Sequence, residues 1–116
     1  MLFLCYPRCS TCQKAKKWLD EKGVVYTYRD IAQENPTCEE LTGWYRQSGL
    51  PLKKFFNTSG MLYKELGLKD KLPTMSEEEM LQLLATNGML VKRPLLVSED
   101  KVLVGFREPE WADALN

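Results

Sequence analysis

A chain of 116 residues, 44% hydrophobic and 28% charged, carries enough apolar material for one domain with its own core and too much for a disordered segment. Sixteen basic residues balance sixteen acidic ones, which argues against binding nucleic acid directly through bulk positive charge. Histidine is absent, so Cys-His catalysis, mixed Cys/His zinc sites and histidine pH switches are all excluded.

The run Leu2-Phe3-Leu4-Cys5-Tyr6 is apolar, is followed by a turn residue at Pro7, and reads as a buried strand. Over residues 10–22, Cys12, Ala15, Trp18 and Leu19 recur at helical spacing, with Lys14, Lys16, Lys17, Asp20 and Glu21 mostly on other faces. Gly23 is the expected stop of that helix. The β-branched and aromatic run Val24-Val25-Tyr26-Thr27-Tyr28 reads as a second strand. Strand, helix and strand in so short a stretch form a βαβ unit, which predicts parallel strands.

The middle of the chain is predicted to be helical. Thr37 with Glu40 is a capping-box signature ahead of Leu41, Trp44 and Tyr45, and Gly49-Leu50-Pro51 ends that helix. Phe55-Phe56 and the run from Met61 to Leu66 suggest further short helices, closed near Gly67. Ser76 with Glu79 opens another, carrying Met80, Leu81, Leu83 and Leu84 and ending at Asn87-Gly88. Pro94-Leu95-Leu96-Val97 and Val102-Leu103-Val104 then form a hairpin around Ser98-Glu99-Asp100-Lys101, and residues 108–115 a closing helix. The expected fold is a single α/β domain over residues 1–116: β-α-β, a helical insertion over about residues 36–88, then β-β-α.

The longest apolar runs are far too short to span a bilayer, and the N-terminus reads straight into a strand without the parts of a signal peptide. No membrane association and a cytoplasmic location are therefore expected. Thiols are normally kept reduced there, so a close cysteine pair points to redox chemistry or metal more than to a staple. Cys9 and Cys12, in Cys9-Ser10-Thr11-Cys12, sit at the start of the first helix. Unpaired N–H groups and the helix dipole favour a thiolate at such a position. Cys9 is thus expected to attack, and Cys12, one turn on, to resolve the mixed disulfide. A closed zinc site needs four ligands, only Cys5 and Cys38 remain, and no second CxxC exists, so no metal is expected. Cys5 reads as core and Cys38 as a boundary thiol. Pro94 reads as an ordinary strand-start proline or, in a thioredoxin-like core, as a cis-proline facing the cysteine pair with Arg93 placed to grip an oxyanion; Arg107 reads equally as solvated surface or as approaching the same place. Ser10 and Thr11, between the cysteines, support the site.

The run from Cys5 to Ala15 resembles the N-terminus of the arsenate reductase-like (ArsC/Spx/MgsR) family. The likeness continues through Phe55-Phe56-Asn57-Thr58-Ser59-Gly60, Leu62-Tyr63-Lys64-Glu65-Leu66, Met89-Leu90-Val91-Lys92-Arg93-Pro94 and Val104-Gly105-Phe106-Arg107. These blocks cover nearly the whole chain in order. The resemblance implies a thioredoxin-like (glutaredoxin-like) core with a helical insertion. It also implies a thiol-disulfide oxidoreductase, of arsenate reductase type, with Cys9 as nucleophile and no bound cofactor. Its reductant, and partner, would be thioredoxin or a glutathione/glutaredoxin system.

Glutaredoxin-linked arsenate reductases hold arsenate with three arginines. Arg93 and Arg107 match two of them, Asn57 falls at about the third, and Cys5 replaces the histidine preceding the cysteine motif. A tetrahedral dianion thereby loses one charge-assisted partner, worth about 1.5–3 kcal/mol. Cys12 instead resembles the redox-sensing CxxC of Spx and its relatives, which bind the C-terminal domain of the RNA polymerase alpha subunit. Those proteins carry a further C-terminal segment, whereas this chain stops soon after Trp111. The regulator reading therefore ranks below the reductase-like one.

Overall fold

The computed structural model describes residues 1–115. Strand β1 (Leu2–Cys5) occupies the first apolar run, and helix α1 (Ser10–Glu21) buries the expected stripe of Cys12, Ala15, Trp18 and Leu19. Gly23 follows at φ +70°, a left-handed conformation that only glycine adopts without strain, and its N–H closes on Asp20 O at 3.1 Å.

Strand β2 (Thr27–Asp30) begins three residues later than the β-branched run suggests. Val24 N–H is still engaged with Leu19 O at 3.0 Å as the chain leaves the helix, and Val25 is 88% exposed. The ladder starts only where β1 offers partners, with Leu2 opposite Thr27 and Cys5 opposite Asp30 in parallel register. Composition marks a strand; the neighbouring strand sets its register.

Helix α2 (Cys38–Ser48) opens with the predicted capping box, Thr37 and Glu40 exchanging both 3.0 Å bonds, and ends at Gly49, φ +69°. A 3-10 turn at Leu52–Phe55 follows, then the short helices α3 (Met61–Glu65) and α4 (Leu68–Lys71) and another 3-10 turn at Leu72–Thr74. Helix α5 (Glu77–Leu84) carries the second capping box, Ser76 with Glu79.

Two further details differ from the sequence reading. Phe56 is extended rather than helical and forms an isolated antiparallel bridge with Val91, flanked by Lys92 N–H to Phe55 O at 2.7 Å and Asn57 N–H to Leu90 O at 2.8 Å. Asn87-Gly88 does not end α5, which stops at Leu84. Asn87 instead caps a 3-10 turn at Gly88–Leu90. Gly88 is there because of space: a Cβ on it would lie 1.8 Å from Ile31 O.

Strands β3 (Leu95–Val97) and β4 (Val102–Val104) form the predicted hairpin, and α6 (Glu108–Leu115) closes the chain. The sheet order is β2-β1-β3-β4, with β1–β2 parallel and the other two pairs antiparallel. Alternation along the strands assigns the two faces. Leu4 and Leu95 pack against the insertion with Leu41, Phe55 and Leu84; Phe3, Cys5 and Leu96 pack against α1 and α6 with Cys12, Leu19 and Trp111. The outcome is a three-layer sandwich, with the sheet between the insertion on one face and α1 and α6 on the other. Among the described residues, no helix is long and apolar enough to cross a membrane.

Candidate active site

Cys9 is the N-cap of α1, extended at φ −88° and ψ 119°, and half-buried. The turn that delivers it is pinned twice: Cys9 N–H donates to Tyr6 O at 3.0 Å, and Gln13 Nε2 donates to Pro7 O at 2.8 Å. The first intrahelical bond runs from Gln13 N–H to Cys9 O at 3.1 Å, so the sulfur stands at the end of the helix where N–H groups lack intrahelical acceptors. Its own side chain makes no capping bond.

Cys12, one turn on, is fully buried and accepts a hydrogen bond from Tyr6 N–H at 3.3 Å. It packs in one buried cluster with Cys5, and Cys9 packs against that cluster. Interaction with Cys5, and then burial, push the Cys12 thiol far above its ordinary range. Cys5, also fully buried, is held below its ordinary value by its interaction with Cys12 against the effect of burial. All four cysteines are free thiols. Cys9 is thus the accessible sulfur of the pair and Cys12 the sheltered one, as the sequence predicts. Cys38, half-buried, packs at the edge of the insertion core.

Cys9 opens onto a cleft of about 1480 Å³ between the helix start, the insertion and the β4–α6 corner. Thr11, Asn57, Arg93 and Arg107 line it too. Cys12, Ser10 and Pro94 do not line it: Ser10 is exposed on the first turn, while Pro94 is buried behind the wall. The Arg93–Pro94 peptide is cis, and Pro94 O accepts Gly105 N–H at 2.8 Å.

Arg93 is the unusual member. Its guanidinium lies over the Tyr6 ring, Cζ 5.2 Å from the centroid, while Nε and Nη1 are buried without a hydrogen-bond partner among the described residues. Buried donors are normally satisfied, and a charged one left empty is costly, so this arrangement suits an anionic ligand. Arg107, 75% exposed at the rim, stays 3.6 Å from Glu110. Asn57 has its backbone tied to Leu90 O, and its Oδ1 accepts from Ser59 Oγ at 3.2 Å.

Sequence reasoning missed two contributors. Tyr6, which supports both Cys12 and Arg93, carried no signal beyond its place beside the motif. Lys53, Lys54, Lys69 and Lys92 also line the cleft, giving six cationic side chains against Glu65 and Glu110. An evenly charged sequence hides that local excess, because only folding brings Lys53, Lys54 and Lys69 of the insertion, and Lys92 ahead of β3, to the cleft that Cys9 faces. Among the described residues, no group of three or more His, Cys, Asp or Glu is placed to hold a metal ion.

Comparison with known proteins fits this architecture. The chain is 55% identical over 113 residues to the uncharacterized protein YusI of Bacillus subtilis, covering 97% of this chain and 96% of YusI. It is 30% identical over 110 residues to the regulatory protein MgsR of the same organism, covering 95% and 86%. Among solved structures, an ArsC-family-related protein from Bacteroides fragilis superposes with a TM-score of 0.95 at 66% identity, covering 97% of this chain and 94% of that one. An arsenate reductase from Vibrio cholerae superposes at 0.82 with 27% identity, covering 100% and 98%. The fold is that of the thioredoxin-like ArsC structures. The ArsC family model matches residues 4–114, and the chain belongs to the ArsC family.

Proposed function

We propose that this protein is a thiol-disulfide oxidoreductase of arsenate reductase type, in which Cys9 attacks and Cys12 resolves. The observation that carries the reading is the Arg93 guanidinium, buried with two unpartnered nitrogens in the wall of the cleft that holds Cys9. A cleft with excess positive charge and one accessible sulfur suits an anionic, electrophilic substrate, either an oxyanion or an anionic disulfide.

With a disulfide, the Cys9 thiolate attacks one sulfur and expels the other as a thiolate. Cys12 gives its proton to that expelled thiolate or to solvent, attacks the Cys9 sulfur, releases the second thiolate and closes Cys9–Cys12. With arsenate, Cys9 displaces a protonated oxygen as water to form a Cys9–S–As bond. Attack by Cys12 on that sulfur sends the electron pair to arsenic, which leaves reduced by two electrons. In either case thioredoxin or a glutathione/glutaredoxin system restores the dithiol. Arg93 binds the anion, with Arg107 closing on it from the rim. Asn57, neutral where the resemblance expects an arginine, weakens selection for a dianion and favours disulfides.

Turnover of arsenate and of glutathione disulfide, each with thioredoxin and with glutathione/glutaredoxin as separate reductants, tests this. Turnover that depends on Cys9 supports it, and equal turnover by Cys9→Ser refutes it. The likeness to MgsR, with Cys9 and Cys12 as a redox pair, favours a second reading. In it the protein is a Spx/MgsR-like regulator whose disulfide sets its affinity for the C-terminal domain of the RNA polymerase alpha subunit. Redox-dependent capture of that domain, with no turnover, would select it.

A further inference from the structure

The proposed cycle leaves one buried nucleophile unused. Cys5 ends β1 on the face turned toward α1, in the same packed cluster as Cys12. Both sulfurs are held by one residue: Tyr6 N–H donates to Cys12 Sγ at 3.3 Å, and Cys5 Sγ–H donates to Tyr6 O at 3.7 Å. Cys5 and Cys12 are both fully buried in one cluster, and Cys9 packs against that same cluster. Transfer requires Cys5 to reach the Cys12 sulfur from the side away from Cys9, because the attacking and leaving sulfurs lie on opposite sides of the sulfur attacked.

We propose that Cys5 is a third redox-active cysteine, which takes the disulfide over from Cys9–Cys12 and returns Cys9 to its thiol form. The inference rests on the oxidoreductase reading above. In the step, deprotonated Cys5 attacks the Cys12 sulfur, the Cys9–Cys12 bond breaks, and Cys9 leaves as a thiolate. The Cys5–Cys12 bond forms, and the proton lost by Cys5 ends on Cys9 or in solvent. No electrons enter or leave, so no further oxidant is required. One feature favours it: Cys9 is the N-cap of a 12-residue helix, at the end where backbone N–H groups lack intrahelical acceptors, a setting that suits an anionic leaving group. The oxidising equivalent would then be stored between two fully buried sulfurs, with the accessible nucleophile free again.

The sequence supplies the readout. Trypsin cuts after Arg8 and Lys14, which leaves Cys5 in the peptide of residues 1–8 and both Cys9 and Cys12 in residues 9–14. The reduced protein is treated with one equivalent of glutathione disulfide, quenched in acid, alkylated with N-ethylmaleimide, digested and sequenced by mass spectrometry. The expected product is a disulfide joining the two peptides through Cys12, with the alkyl group on Cys9. A disulfide confined to residues 9–14, with Cys5 alkylated, overturns the transfer and leaves the Cys9–Cys12 mechanism intact. No oxidation of Cys9 or Cys12 refutes both.

A second measurement needs no substrate. Cys9→Ser, shown by circular dichroism to be folded, is oxidised with diamide. A cross-link between the two peptides supports the reach of Cys5 to Cys12, and its absence refutes it. In Cys5→Ala the first disulfide should form as in the parent, but Cys9 should stay blocked to alkylation, at least tenfold less labelled than in the parent.

Discussion

Arg93 is stacked over Tyr6, its Cζ 5.2 Å from the ring centroid, and two of its three guanidinium nitrogens are buried without partners. The aromatic face supplies part of the stabilisation that a hydrogen-bond acceptor normally would, and it fixes the guanidinium plane in the cleft wall.

Replacing Arg93 should therefore separate function from stability. Arg93→Met should lower kcat/KM for an anionic substrate about 10- to 100-fold, the equivalent of about 1.5–3 kcal/mol for a charge-assisted contact. Thermal stability should hold or rise, since an unpaired buried charge is removed without stranding a partner. Arg93→Lys should not restore activity, because an ammonium cannot reproduce the planar fork. Steady-state kinetics and thermal melts on the same samples check both halves.

Accessibility separates the thiols. Iodoacetamide at pH 7 should modify Cys9 first and leave Cys12 and Cys5 unmodified in the folded state, because both are fully buried and the Cys12 thiol is held protonated by its interaction with Cys5 and by burial. Peptide mapping against time gives the order. Early labelling of Cys12 would contradict the assigned roles.

Glu40 ties three segments together. It accepts from Arg29 at 2.7 and 2.9 Å and from Thr37 N–H at 3.0 Å, while Arg29 also donates to Glu34 O and Asn35 O. Arg29, and secondarily the Thr37 backbone, hold the Glu40 carboxyl below its ordinary value. A depressed carboxylate contributes stability above its unfolded pKa, about 4.3, and loses it as pH falls through the folded value. Glu40→Gln should be destabilised by about 1 kcal/mol at pH 7, kept small by the pair's remaining solvent access, and the difference from the parent should shrink below pH ~4. Urea melts at several pH values measure this.

Trp111 is fully buried between α1 and the sheet, and its indole N–H donates to Gly105 O at 2.9 Å beside the β4–α6 corner. Trp111→Ala should cost about 3–5 kcal/mol. Trp111→Phe should cost less, removing mainly that hydrogen bond. Chemical denaturation gives the values.

How much of this was legible in the sequence depends on how far apart the causes lie. Capping boxes at Thr37 and Ser76, the glycine stop at Gly23 and the apolar stripe of α1 are set by neighbours a few residues away, and they stand where the sequence puts them. The same holds for Cys9 as an N-cap, because strand, turn and helix start lie within one short run. The β2 register, the Phe56–Val91 bridge and the role of Gly88 were hidden, since each is decided by a partner distant in sequence: Leu2, Val91 and Ile31. The cleft lysines and the Tyr6–Arg93 stack were hidden for the same reason.

The central claim is that Cys9 is the attacking sulfur and Cys12 the one that releases it. It is tested most directly by mixing Cys12→Ser with glutathione disulfide and locating the adduct by mass spectrometry. The account predicts one stable glutathione on Cys9, while the parent protein, able to resolve, retains none. An adduct on Cys38 with Cys9 unmodified, or a parent that accumulates the same adduct, would contradict it.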